Sequence, residues 1–307
     1  MQLLGEAGPR PFPYPNRWWQ LIEYDGITTF HTAPTAIRSL MRFGEAWPNR
    51  HHLTSLRLLG SVGEPISPEA WQWLYRVVGK ERCPIMDTWW QTETGMFQIT
   101  PVPSMALKPG SAGKPFYGQE AEILNEAGEP VPDGEEGFLM LKNPWPAMMR
   151  TLYKDDERYV STYWSKCPGK YLAGDSASRD KDGYFWVIGR TDDVIKVSGH
   201  RLGTAEVESA LVSHPAVAEA AAIGLPHEVK GNAIHVFVVL RMGLRRQPGV
   251  GAGPAPACLD PLVADRQADS IDFTEKLPKT RAGKIMRRVL KARALGQDED
   301  YLSIREE

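Results

Sequence analysis

The sequence predicts an α/β protein in three parts: a layered α/β unit, a stretch of short antiparallel strands, and a compact α/β unit at the carboxyl end. Three observations carry this. Short apolar runs alternate with helix-period stretches as far as about residue 95, which suggests parallel α/β layers. From Gly110 to Arg190 the pattern changes to short strands separated by turns, as in an antiparallel barrel or small sheet. Beyond Asp192 helix and strand patterns mix again, which places a short boundary at Thr191 to Asp193.

Taken in order, Asn16 to Tyr24 has helical spacing, Ile27 to Phe30 reads as a strand ending near His31, and Thr35 to Phe43 as a second helix. Leu56 to Leu59 is a buried strand expected to stop at Gly60, before Gly63-Glu64-Pro65. Ser67 and Pro68 then supply an N-cap and a first-turn proline for a helix from Glu69 to Val78. Ile85 and Met86 form a brief strand leading into DTWWQTETG at Asp87 to Gly95. Ligands of parallel sheets sit beyond the carboxyl ends of the strands, where both of these turns fall. Ala121 to Leu124 and Phe138 to Lys142 are strands flanking the turn-rich EAGEPVPDGEEG. In the last part, a helix from Glu206 to Val212, strands at Ala218 to Ile223 and Ile234 to Leu240, and a basic helix near Ile285 to Arg293 are expected. Met242 to Ala264, rich in Gly, Pro and Ala, reads as a disordered loop.

Bulk properties narrow the function classes. With 307 residues the chain can hold two domains, and a net charge of -2 gives no electrostatic reason to expect a nucleic-acid or membrane partner. Its three cysteines, Cys83, Cys167 and Cys258, are few and far apart, which suits a reducing compartment and argues against a disulfide scaffold or zinc site. No apolar run approaches a membrane span, and the amino terminus lacks the pattern of a signal peptide. A cytoplasmic protein is the expectation.

The chemistry-bearing residues gather in turns. Gln91-Thr92-Glu93-Thr94-Gly95 offers hydroxyls and N–H groups to a phosphate, with Glu93 in reach of a magnesium ion held by it; alternatively it only closes a strand. Trp89 and Trp90 in tandem point opposite ways, so one packs inward while the other walls a pocket for a very small substrate. Gly63-Glu64-Pro65 is either a flat turn on which an aromatic ring stacks or an ordinary helix lead-in. The stretch from Tyr171 to Glu208 is the densest: Asp175 and Arg190 end strand-like runs and form either a ribose clamp or a salt bridge. Ser198-Gly199-His200-Arg201 joins a glycine permitting close approach with an arginine suited to phosphate. Lys284, after Gly283 and before a basic helix, is either a solvated charge or a point charge delivered to a phosphate or carboxylate.

Read together, these residues resemble the adenylate-forming acyl-CoA synthetases, most closely their AMP-forming acetyl-CoA synthetase branch. The matching pieces are TAPTAIR at Thr32 to Arg38, LRLLGSVGEPISPEAW at Leu56 to Trp71, DTWWQTETG, KPGSAGKPF at Lys108 to Phe116, the Tyr171 to Glu208 stretch, and LPKTRAGKIMRR around Lys284. They cover nearly the whole chain except Met242 to Ala264.

The resemblance implies an acetate-CoA ligase: acetate and ATP give acetyl-adenylate and pyrophosphate, and the thiol of CoA then displaces AMP. Residues 1–191 would be the C-terminal part of a large AMP-binding domain, layered α/β plus a small β-barrel-like subdomain. Residues 192–307 would be a small mobile C-terminal domain carrying the catalytic lysine. Gly63, Glu64, Pro65 and Asp87 would surround adenine, Thr92 meet the α-phosphate, Asp175 and Arg190 the ribose, and Arg201 the phosphate. Glu93 would assist magnesium, Val62 and Trp90 would wall the acetate pocket, and Gly199 would meet CoA. Lys284 would stabilise charge during adenylation, and Asp192 would be the hinge that exchanges Lys284 for Gly199 between half-reactions. Reversible acetylation of Lys284 by a protein acetyltransferase and a deacetylase is implied too.

This sequence departs from the family's pattern at several points, among them the amino-terminal part of the large domain, which is absent, and the Gly/Pro/Ala-rich stretch of Met242 to Ala264, which stands where the family has a helix. Its glycine- and Ser/Thr-rich phosphate loop, TSGTTGxPKG, lies upstream of these residues, so a truncated chain is expected. Ala282 stands where the family usually has Ser. Two alternatives therefore stay open: a non-catalytic nucleotide-binding fragment, and a propionate-CoA ligase, since one methylene is worth only about 1–3 kcal/mol in a pocket.

Overall fold

The computed structural model describes residues 15–191, 195–197, 200–212, 214, 216–227, 231–240, 268–279 and 285–297. The chain divides into two compact units, Met1–Thr191 and Asp192–Glu307. The reading of Met242 to Ala264 as a disordered loop lies outside the described residues.

The first unit opens with helix α1 (Arg17–Tyr24), strand β1 (Thr29–Thr32), helix α2 (Pro34–Met41) and the short α3 (Ala46–Asn49). Strand β2 (Leu58–Val62) and α4 (Pro68–Trp73) lead to β3 (Ile85–Thr88). The helix α4 is capped as its sequence dictates: the Ser67 hydroxyl accepts from the Ala70 N–H at 3.3 Å, with Pro68 in the first turn. It then widens through Leu74–Val78, where the Gly79 N–H reaches the Leu74 carbonyl five residues back.

The three strands form a parallel sheet in the order β1-β2-β3. One face is covered by α1, α2 and α4 through Trp19, Ile22, Ile37, Leu40, Leu59, Trp71, Leu74 and Ile85. Burying a side chain of this size removes it from water for about 1.5–3 kcal/mol, so this layer has its own core. Contrary to the sequence expectation, β2 does not stop before Gly60 but runs through Gly60 and Ser61 to Val62. The reason is close packing across the sheet: His31 is the register partner of Gly60, and a Cβ on Gly60 would lie 2.6 Å from the His31 ring.

Strands β4 (Ile99–Thr100) and β5 (Lys114–Pro115) pair as a short ribbon. A four-stranded antiparallel sheet follows: β6 (Ala121–Leu124), β7 (Glu136–Leu141), β8 (Tyr171–Arg179) and β9 (Phe185–Arg190), paired in chain order. Of barrel and small sheet, the chain forms the open sheet. Helix α5 (Asp156–Tyr163), unforeseen in the sequence, is capped by Asp155, whose carboxylate accepts from the Arg158 N–H, with Asp156 and Glu157 in its first turn. Acidic residues there complement the helix dipole.

The second unit contains β10 (Ile195–Val197), β11 (His200–Leu202), α6 (Thr204–Val212), β12 (Val217–His227), β13 (Gly231–Leu240), β14 (Ser270–Phe273) and α7 (Arg287–Ala294). Its sheet has the order β11-β10-β13-β12, with β14 parallel to β13. Val207, Leu211, Val217, Ala220, Val236 and Val238 form the core beneath α6. Leu277 and Leu290 pack on Ala221, Ile223 and Phe237. An ion pair ties α7 to α6: Arg287 donates both Nη2 and Nε to Glu208 at 2.8–3.1 Å, and Glu208 Oε1 also accepts from the Ala222 N–H at 3.0 Å.

No helix among the described residues is long and apolar enough to cross a membrane.

Candidate active site

Parallel pairing brings the carboxyl ends of β2 and β3 side by side, with Ser61 opposite Asp87 and Val62 opposite Thr88. The turn after β2 depends on Gly63, whose φ of 93° is left-handed, a conformation costly for any residue with a Cβ. Glu64 then turns back toward α2, where its Oε1 accepts from the Thr35 N–H at 2.5 Å, from the Thr35 hydroxyl, and from Arg38 Nη2 at 3.1 Å. Glu64 thus caps α2, which has no capping side chain of its own. With that carboxylate committed, Gly63-Glu64-Pro65 offers a ligand chiefly its backbone.

Asp87, one residue before the end of β3, has only 6% of its surface exposed. Burial pushes its pKa up to about 8, and the Ser61 side chain offsets this only in part. The Ser61 hydroxyl is itself buried without a hydrogen bond of normal geometry, so its hold on the carboxyl is weak. At neutral pH Asp87 is therefore mainly a neutral acid.

The two tryptophans separate as their alternation requires. Trp89 is buried and its indole N–H donates to Asp175 Oδ2 at 3.0 Å. Trp90 is 41% exposed and meets Phe97 edge-on, ring centroids 6.1 Å apart. Beside them an open groove of about 280 Å³ is lined by His31, Gly60, Met86, Thr88, Phe97 and Phe116. It lies on the sheet face opposite the packed helices, and Val62, two residues beyond Gly60, ends β2 on that same face.

The turn Gln91 to Gly95 is held from within by Thr94, whose hydroxyl accepts from the Gln91 N–H at 2.9 Å and donates to the Gln91 carbonyl at 2.8 Å. From outside, the Trp145 indole donates to the Thr94 carbonyl at 2.7 Å. Gly95, at φ 67°, would place a Cβ 2.7 Å from the Ala147 carbonyl. With Thr94 consumed in the turn, exposed Thr92 and half-buried Glu93 are left at its apex. Glu93 Oε1 accepts from the Tyr163 hydroxyl at 3.2 Å, and Tyr163 stacks on Tyr171 with centroids 5.3 Å apart.

Asp175 and Arg190 are register partners across β8 and β9. Their closest atoms are 3.7 Å apart, a loose ion pair, and Arg190 Nη1 also donates to the Ala173 carbonyl at 3.1 Å. Gly174, at φ 70°, makes this possible, since a Cβ there would lie 2.8 Å from the guanidinium. Asp175 is buried while Arg190 is largely exposed.

Thus Gln91 joins Asp175 to the turn that carries Thr92 and Glu93, Asp175 pairs with Arg190, Asp87 and Val62 sit on adjacent strands that lead into Gly63 to Pro65 and Trp89, and Trp90 packs on Phe97, which lines the groove. Arg201 sits on β11 opposite Lys196. Gly199, Asp192 and Lys284 lie outside the described residues. Those flanking Lys284 are ordered: Lys279 and Ile285 form an antiparallel bridge, and the Met286 N–H donates to the Pro278 carbonyl at 2.9 Å. Sequence reasoning missed Gln91, Tyr163, Tyr171 and the bonding role of Trp89. Gln91 stood in plain view within QTETG, but nothing marked the tyrosines, which reach the cluster from about 80 residues away.

Residues 4–153 match the family model of the AMP-binding enzymes and residues 206–284 that of the AMP-binding enzyme C-terminal domain. The chain is 52% identical over 303 residues to an acetyl-coenzyme A synthetase of Nitrosomonas europaea, covering 96% of this chain and 46% of that protein. It is 50% identical over 298 residues to one of Pyrobaculum aerophilum, covering 96% and 44%. The chain thus spans less than half the length of the curated relatives it matches. The structure of an anthranilate CoA ligase in complex with anthranoyl-AMP aligns with a TM-score of 0.73 at 29% identity, covering 91% of this chain and 51% of that one. On these matches, the chain belongs to the AMP-binding, adenylate-forming enzymes.

Proposed function

We propose that this chain serves an AMP-forming acetate-CoA ligase. Acetate oxygen attacks the α-phosphorus of ATP, pyrophosphate leaves, and the CoA thiolate then attacks the acyl carbon of acetyl-adenylate to release AMP. The observation that carries the reading is the hydrogen-bonded join of Trp89, Gln91 and Asp175, which fixes a ribose-type carboxylate beside a phosphate-type turn. About 50% identity to acetyl-coenzyme A synthetases supports acetate as the acyl substrate.

In this reading Gly63 to Pro65 and Asp87 meet adenine, Asp175 and Arg190 the ribose hydroxyls, and Thr92 the α-phosphate. The C-terminal part of the large domain, 1–191, carries these, and 192–307 is the small mobile domain. Arg201 adds positive charge for phosphate, Gly199 admits the CoA arm, and Asp192 is the hinge. Val62 and Trp90 bound the acetate methyl group, and Phe97 backs Trp90. Lys284 supplies a point charge where negative charge develops on the acyl and phosphate oxygens. Its acetylation by a protein acetyltransferase, reversed by a deacetylase, would abolish that charge.

Glu93 is the residue for magnesium. Among the described residues no group of three or more His, Cys, Asp or Glu could form a protein cage for a metal, and magnesium needs none, because it uses one or two carboxylates with substrate phosphates and water. A bound magnesium ion would neutralise phosphate charge. The free thiols of Cys83 and Cys167 support a reducing cytoplasmic setting.

The test is acetate-dependent exchange of pyrophosphate into ATP, measured on this chain alone and on the chain extended to its relatives' full length. The extended protein is expected to exchange and its Lys284→Ala variant to lose exchange by orders of magnitude. No exchange in the extended protein refutes the ligase reading. The 44–46% coverage of its relatives favours one second reading, that this stretch alone binds AMP without activating ATP; acetyl-CoA synthesis by the chain alone would rule it out. Equal or better turnover of propionate would transfer the assignment to a propionate-CoA ligase.

A further inference from the structure

We propose that Gln91 is a positioning residue for the ribose carboxylate, coupling Asp175 to the phosphate turn; this rests on the nucleotide reading above. Its amide makes three contacts that fix its orientation. Nε2 donates to the Ala173 carbonyl at 2.5 Å, a group that can only accept, and to Asp175 Oδ2 at 3.0 Å. Oε1 accepts from the Tyr171 hydroxyl at 3.0 Å. Tyr171 is fully buried, and that burial raises its pKa, so its phenol stays a donor and the amide cannot usefully flip.

The same residue's backbone N–H is captured by the Thr94 hydroxyl, so Gln91 is fixed at both ends. Its side chain grips β8 while its backbone opens the turn that presents Thr92 and Glu93. Trp89 Nε1 reaches the same oxygen of Asp175, and two donors on Oδ2 orient the carboxylate plane. Losing one of these two donors relaxes the restraint on the carboxylate plane, a change worth about one hydrogen bond. Gln91 need not touch nucleotide to do this. Among the contacts it makes, Ala173, Asp175 and Tyr171 all belong to β8, which explains why a glutamine's length suits the position.

The experiment titrates the full chain with AMP and with dideoxy-AMP, which lacks both ribose hydroxyls, by isothermal calorimetry. In the unaltered chain AMP is expected to bind more tightly than dideoxy-AMP. Gln91→Met, which keeps length but removes both donors, should weaken AMP about tenfold and leave dideoxy-AMP within about twofold. Gln91→Glu, which sets a second carboxylate against Asp175, should show the same selective loss. Unchanged AMP affinity in both variants, or equal weakening of both ligands in both, overturns the inference while the nucleotide reading stands. If the unaltered chain binds neither ligand, or does not distinguish them, the ribose assignment itself falls and the inference with it.

Discussion

Replacing Asp87 with Asn removes an ionisation that the fold resists, and the effect should appear as a change in the pH dependence of stability. Burial raises the Asp87 pKa from 3.8 to about 8. Between those values the folded protein holds a proton that the unfolded chain has lost. The sign follows: the contribution of this group is most favourable below pH 4, diminishes as pH rises, and levels off above about pH 8. The limiting slope is about 1.4 kcal/mol per pH unit, so the loss from pH 4 to pH 7 is about 4 kcal/mol at most, and about half that once water penetration relaxes the buried charge. Asp87→Asn contributes no such slope. A buried, poorly bonded amide costs about 1–3 kcal/mol at every pH, so the offset between the proteins is uninformative and the difference in slope is the signature. All ten tryptophans lie in the first unit, so urea unfolding followed by tryptophan fluorescence from pH 4.5 to 8.5 isolates its transition. The variant is expected to gain relative to the parent as pH rises. Parallel stability curves across that range would mean that Asp87 ionises freely in the folded state, and the argument from burial would be wrong.

Glu208→Ala removes the α6 carboxylate that Arg287 pairs with, at a position where the two side chains are only 13–18% exposed. Breaking such a pair costs about 3–5 kcal/mol; hydrogen exchange should show lost protection in β12 and α7 with tryptophan fluorescence unchanged. Gly174→Ala combines left-handed strain with a contact 2.8 Å from the Arg190 guanidinium, so a loss of about 1–3 kcal/mol in the first unit is expected by thermal melting, with weaker AMP binding by calorimetry. Trp90→Ala, made in the extended protein, should raise kcat/KM for butyrate relative to acetate by about tenfold or more, because the indole packs on Phe97, which lines the groove. An unchanged ratio in steady-state assays would remove Trp90 from the acyl wall.

Much of this was legible in the sequence, and the limits have physical causes. Ser67 with Pro68 foretold the start of α4 because an N-cap is a local device, and Ala121–Leu124 emerged as a strand because turns bound it closely. Gly60 was misread as a stop: a glycine signals either a break or a close approach, and only the His31 ring, brought there by parallel pairing, decides which. Helix α5 was missed because its sequence, DERYVSTY, contributes no fully buried residue, so no apolar periodicity marks it. At the site, residues placed by their own backbone were anticipated, including Arg190 at the end of β9 and the opposed Trp89 and Trp90; Asp175, expected at a strand end, instead lies in the middle of β8, because pairing with β7 and β9 carries that strand on to Arg179. Residues whose role depends on distant chain, such as Tyr163 and Tyr171, were not.

Glu64 and Gln91 show the same point from opposite directions. Glu64 looks like a ligand residue in sequence because it follows a glycine at a strand end, yet its carboxylate is used to cap α2. Gln91 looks like filler between two tryptophans and a threonine, yet its amide joins the strand-end turn to β8. In each case the deciding quantity is where the polar atoms find partners, since a buried carboxylate or amide left unmatched costs about 1–3 kcal/mol or more. A side chain already matched within the protein has less to offer a ligand but more to offer its neighbours' geometry. Side chains around Asp175 therefore divide into Thr92 and Arg190, which are exposed, and buried Trp89 and half-buried Gln91, which donate to its carboxylate. That division predicts where substitutions will alter nucleotide affinity directly and where they will do so only through the ribose.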